Sequence, residues 1–137
     1  MNRTIELLNG RSLESVRFDA GTGEWIFVFA TSGVLQIGCA WRVVAEGNVA
    51  LGWQDDGHHF GLPVPVDATA RLQTLVGTSS VNTAEVLSHG DLLIRFGSGV
   101  ALEVFNDSCG YEGWQLHCAG RRSVIAQGGG KVVDSET

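Results

Sequence analysis

The chain reads as an α+β protein. It is an antiparallel sheet, or a half-open barrel, built from two pseudo-repeated αβββ-type units with one or two short helices. Three observations lead there. GEWIFVFATSGVLQI (23–37) returns as GDLLIRFGSGVALEV (90–104), 67 positions further on. Short apolar runs such as WIFVF fill both faces of a strand and suit a central position in a sheet. Nineteen glycines against two prolines supply the tight turns that join short strands.

The repeat comes first because it constrains every later assignment. Gly23 aligns with Gly90, Glu24 with Asp91, Phe29 with Phe96, Leu35 with Leu102, Gln36 with Glu103 and Ile37 with Val104. The same offset carries Leu8 and Gly10 onto Leu75 and Gly77. Each copy then reaches a tryptophan, Trp41 and Trp114, the second six residues late because 106–110 and its flanks are extra. The duplicated parts are about 8–42 and 75–118.

In the first copy Thr4 is placed to cap a short helix over 5–8, and Asn9-Gly10 ends it. A strand follows over 13–18, with Val16 and Phe18 on one face, and DAGTG turns the chain. Strand 24–29 has Trp25, Phe27 and Phe29 on one face and Ile26 and Val28 on the other, which suits a central, two-sided position. ATSG makes a hairpin into a long strand over 34–43. Residues 48–53 form a further strand, and QDDGHHFGLP is a loop. Pro63 and Pro65 precede Asp67, an N-cap for a helix over 68–76 that Gly77 stops. Strands are expected over 81–87, 91–96, 100–105, 111–118 and 123–127. GGGKVVDSET reads as a frayed tail, so the domain is 1–127 and 128–137 is flexible.

The 137 residues suit one domain that buries roughly two-thirds of its unfolded surface. Hydrophobic residues make up 44%, charged residues 18%, and the mean hydropathy is +0.11, which argues against disorder. The net charge of −6 and nine scattered Lys and Arg leave no basic stripe to displace counterions from phosphates, so nucleic acid is not an expected partner. MNRTIELLNG has no signal-peptide pattern and no stretch approaches 18 apolar residues, so the expectation is a cytoplasmic protein with no membrane contact. Cys39, Cys109 and Cys118 match no zinc spacing. They read as idle thiols in a reducing compartment, with a Cys109–Cys118 bridge across a hairpin as the alternative.

The densest polar cluster, Gln54 to His59, offers Asp55, Asp56, His58 and His59 as metal ligands or a general base; equally, Asp56-Gly57 makes a solvated turn. His117 and Cys118 are adjacent, so on a strand they point apart and form no nucleophile–base pair. No nucleophile elbow, zincin, P-loop or dinucleotide motif occurs in its required context, so the chain reads as no enzyme and no cofactor is expected. In LEVFNDSCGYEGWQL (102–116), strand alternation sends Glu112 inward with Trp114 and Leu116. A carboxylate there needs a partner, and Arg42 or Arg95 supplies one. Asn106, Asp107 and Ser108 can bond backbone N–H groups in the corner. The segment thus reads as a structural corner, a binding surface or a catalytic acid site. Asn106, Asp107, Ser108, Tyr111, Glu112 and Arg42 are the binding candidates.

WRV at Trp41, FGLPVPVD, GDLLIRF and the LEVF..S.GYE.W.L pattern together resemble a widespread family of small bacterial cytoplasmic proteins, mostly uncharacterised. The resemblance spans roughly 35–118 and falls on Trp41, Arg42, Asp91, Leu102, Glu103, Phe105, Ser108, Tyr111, Glu112 and Trp114. Some members are candidate immunity proteins of polymorphic toxins, which implies a non-enzymatic protein that binds a partner such as a toxin. Two other classes compete. One is a small-molecule or metal-binding domain with a cleft between the halves. The other is a homodimer paired along an exposed strand.

Overall fold

The computed structural model describes residues 3–136. Strands β1 (Leu13–Asp19), β2 (Glu24–Phe29) and β3 (Gly33–Ile37) form a meander. The chain then changes sheet, and β4 (Ala40–Ala45) and β5 (Asn48–Gly52) form a hairpin. After helix α1 (Ala68–Val76), strands β6 (Val81–Val86), β7 (Leu92–Phe96) and β8 (Ala101–Phe105) build a second meander on β4. A second change of sheet brings β9 (Trp114–Cys118), β10 (Arg122–Ala126) and β11 (Val132–Glu136) back beside β3. One sheet therefore runs β1-β2-β3-β9-β10-β11 and the other β5-β4-β8-β7-β6, with every neighbouring pair antiparallel. No helix among the described residues is long and apolar enough to cross a membrane.

Both sheets turn apolar faces into one shared core. Its largest fully buried side chains are Trp41, Trp114, Phe27 and Phe29. Trp41 of β4 meets Trp25 and Phe27 of β2 edge to face, at 5.3 and 5.5 Å between centroids. That geometry sets the positive ring edge of one aromatic on the negative face of the other and locks the two sheets in register. Ile26, on the other face of β2, is also buried, while Val28 beside it is partly exposed.

Helix α1 follows the expected grammar. The Asp67 carboxylate accepts from Ala70 N at 3.1 Å, and Gly77, at φ +61°, ends the helix. Ala68, Leu72 and Val76, spaced four apart, bury one stripe. Thr69 Oγ1 donates to Val16 O at 3.0 Å and ties the helix to β1.

Three expectations are corrected. The long strand over 34–43 is two strands in different sheets, broken at Gly38-Cys39. Thr4 does not cap: it lies inside a 3-10 turn over Thr4–Leu8, with Arg3 at the cap position. The frayed tail is instead the strand β11, paired with β10 from Arg122↔Glu136 to Ala126↔Val132. Gly129 and Gly130, at φ +88° and +104°, make the hairpin that returns it, so the glycines build a turn rather than slack. Thr137, the last residue of that expected tail, lies outside the described residues, as do the first two residues of the expected domain.

Thr4 explains why β11 stays. It is fully buried, and both its N–H and its hydroxyl donate to the Asp134 carboxylate, while Arg122 Nε donates to Thr4 Oγ1. Asp134→Ala strands two buried donors and is expected to lower stability by about 2 kcal/mol, with Asp134→Asn costing less because it keeps one acceptor. Urea denaturation measures both.

Candidate functional site

The second change of sheet, between β8 and β9, carries most of the expected binding residues. Asn106 is its fastening. Its backbone N–H donates to Asp91 Oδ1 at 2.9 Å. Its side-chain amide donates to His89 O at 3.1 Å and Gln127 O at 3.0 Å, so one residue joins the turn before β7 to the end of β10. Trp114 Nε1 donates to Gly90 O at 2.7 Å beside it. A methyl group on Gly113 would fall 2.4 Å from Asn106 Oδ1, and one on Gly90 2.7 Å from Nδ2, so neither position tolerates a side chain. Ser108 Oγ accepts from Gly110 N and Tyr111 N at 3.1 and 2.9 Å, which closes the loop on itself.

The remaining candidates do not converge. Tyr111 is 82% exposed, and Asp107 is exposed. Glu112 is exposed as well, because β9 starts only at Trp114 and strand alternation does not reach it. Its partner is Gln115 Nε2 at 3.2 Å rather than an arginine. Arg42 pairs instead with Glu103 across β4 and β8 at 2.5 Å and lies over the Phe105 ring at 5.1 Å.

The loop after β5 spends its polar groups on its own shape. Asp55 Oδ2 accepts from Gly52 N at 2.7 Å, and Asp56 Oδ1 accepts from Ala68 N, the first residue of α1, at 2.8 Å. His59 Nδ1 faces Leu62 O at 3.4 Å, and the His58 ring stacks on Phe60 at 5.5 Å. Asp55, Asp56, His58 and His59 thus point to different partners, and among the described residues no three His, Cys, Asp or Glu groups gather at a metal position. The loop folds back as a braced arm: Gly57 N donates to Val66 O and Val66 N to His58 O, both at 2.8 Å.

That arm walls a cleft, which lies not between the two halves, as expected, but among residues of the first half and the loop that follows β5. The cleft holds about 450 Å³ and lies between the end of β1, the start of β2, the Gly38-Cys39 bend and the arm. Phe18, Trp25 and Trp53 supply its rings, and Gln54, Asp56 and His58 its polar rim. Phe18 was expected on one face with Val16; Val16 is buried, whereas half of Phe18 is exposed. Trp53 N donates to Trp41 O at 3.0 Å, which fixes the start of the arm to the core tryptophan. The missed signal is HHFGLPVPV, where apolar residues recur inside a loop. At the arm's tip Phe60, Leu62 and Val64 are 66, 46 and 68% exposed.

Cys39 sits in this cleft, but its thiol is pushed up to about 12, first by burial and then by the Asp107 and Asp91 charges. Cys118 is also pushed up, mainly by burial. All three cysteines are unpaired.

The molecule is thus an α+β protein of two interleaved antiparallel sheets, with an aromatic cleft and an apolar arm on one side. Residues 4–135 match a family of unknown function, DUF6188, and the chain belongs to it. None of the curated proteins and none of the solved structures matches it.

Two outcomes test this description. Asn106→Ala removes the side-chain donor to His89 O and leaves Gln127 O with Gly130 N alone, so it is expected to cost about 2 kcal/mol in urea denaturation, with Gly113→Ala also destabilising. Alkylation needs the thiolate. At about pH 8 iodoacetamide therefore modifies the exposed Cys109 in the native protein, and Cys39 and Cys118 only after unfolding, as read by peptide mass spectrometry.

Proposed function

We propose that the protein is a non-enzymatic binding module that docks a protein partner through the arm and its cleft. The carrying observation is the arm itself. Three apolar side chains, Phe60, Leu62 and Val64, stand in solvent on a loop braced by backbone hydrogen bonds. Holding apolar groups in water is unfavourable, and a braced presentation removes the ordering cost of binding, which is how interface anchors behave. The polar groups that might have served chemistry are engaged in turns and helix caps, and the Cys39 and Cys118 thiols are pushed up, first by burial. The acidic net charge of −6 suits a basic partner. An immunity-like role in the cytoplasm, blocking a toxin, is what the LEVF..S.GYE.W.L resemblance adds to this reading.

We further infer that the two halves are copies of one unit. Each contributes a meander to one sheet and then a strand pair to the other, β1-β2-β3 with β4-β5 against β6-β7-β8 with β9-β10. The 67-residue match between 23–37 and 90–104 supports the same reading. A second function, small-molecule binding in the cleft, is favoured by its aromatic lining.

The test is capture of a partner from native cell extract, followed by reconstitution with the purified partner. Phe60→Ser combined with Val64→Ser is expected to weaken the complex at least about tenfold with the urea midpoint unchanged. A partner bound equally well by the double variant, or no partner recovered, rejects the arm as the docking element.

A further inference from the structure

The cleft has a definite chemistry. Its exposed rings are Phe18 and Trp53, half and two-fifths accessible, with Trp25 beneath them. Phe18 and Trp25 lie tilted at 5.3 Å, so they form one continuous aromatic wall. Asp56 stands on the rim, and its hydrogen bond from Ala68 N occupies one oxygen, Oδ1. The Glu24 carboxylate lies beside Gly38, where a methyl group would come within 3.6 Å of Oε2. A second depression of about 390 Å³ continues past Phe18, Trp25 and Asp56 to Asp67. Among the described residues no lysine or arginine lines either space. Rings and carboxylates without a cation attract a positive group and repel an anion.

The same molecule displays the completed arrangement a few residues away. On the outer face of β4 and β8, the Arg42 guanidinium lies over the Phe105 ring and pairs with the Glu103 carboxylate. The cleft presents ring and carboxylate without their guanidinium. We propose that it receives an arginine side chain of the basic protein partner inferred above. Arginine is preferred to lysine because its planar group stacks on a ring while its fork addresses a carboxylate. The inference rests on the partner-binding reading and names the residue chemistry that the cleft selects.

The probes are capped Gly-Arg-Gly peptide, its citrulline counterpart, its lysine counterpart, and free arginine amide. Citrulline keeps the shape of arginine and removes the charge. Binding is read from the indole N–H signals of Trp25 and Trp53 in nitrogen–proton correlation spectra. The arginine peptide is expected to shift both signals saturably, with the citrulline peptide at least about fivefold weaker. Asp56→Asn keeps the acceptor for Ala68 N and removes the charge, so it is expected to weaken the arginine peptide by a similar factor. Trp53→Ala is expected to abolish the effect on Trp25. Equal binding of the citrulline peptide, equal or tighter binding of free arginine amide or of the lysine peptide, or no saturable shift overturns the proposal. The partner-binding reading fails separately, in the Phe60→Ser and Val64→Ser comparison. A partner complex lost there but unchanged by Asp56→Asn rejects the arginine pocket alone.

Discussion

The chain changes sheet twice, and the two places where it does so are bonded to each other. Gly38 N, in the first change, donates to Gly113 O, in the second, at 2.8 Å. Gly113 N in turn donates to Ala126 O at 2.9 Å, and Asn106 closes the same corner from β7 to β10. The rest follows from this junction. Because both changes occur at one place, β3 can pair with β9 and β4 with β8, and each sheet draws strands from both parts of the chain. The constraint explains why Gly113 and Gly90 bear no side chain, and why LEVFNDSCGYEGWQL is a clasp before it is anything else.

The junction also positions the cleft. The Gly38-Cys39 bend is one of its walls, and the Trp41 backbone just beyond holds Trp53 at the foot of the arm. The Trp25, Phe27 and Trp41 cluster beneath is rigid by packing, so Phe18 and Trp53 stand over a firm base. Binding surfaces of this kind combine a loop with a scaffold that does not move when the loop is engaged. Here the loop is itself braced, since its carboxylates accept from Gly52 N and from the first residue of α1.

What the sequence made legible was what depends on neighbours. Helix α1 could be read because Asp67, the stripe of Ala68, Leu72 and Val76, and Gly77 act within a few residues of one another. Strands β2 and β7 could be read from short apolar runs that fill both faces. The break at Gly38 could not, because the inward parity runs unbroken from Leu35 and Ile37 to Trp41 and Val43 although the sheet beneath changes. Glu112 misled for a related reason: parity was extended from β9 into residues that are not strand. Strand β11 was hidden because its anchor, Thr4, is 130 residues away. The place of the cleft was hidden because Phe18, Trp25 and Trp53 meet only after the first change of sheet.

Interleaving has a kinetic meaning. Residues near 34–37 are paired with 114–117, and Thr4 with Asp134, so much of the structure joins distant parts of the chain. Such pairings impose a large loop-closure entropy before they give anything back, and they slow folding. They also leave no separable part. The meander β1-β2-β3 lacks the neighbour of β3 until β9 exists, and β8 lacks its neighbour without β4. The molecule is therefore suited to unfold as one cooperative unit, with no stable intermediate for a protease to find.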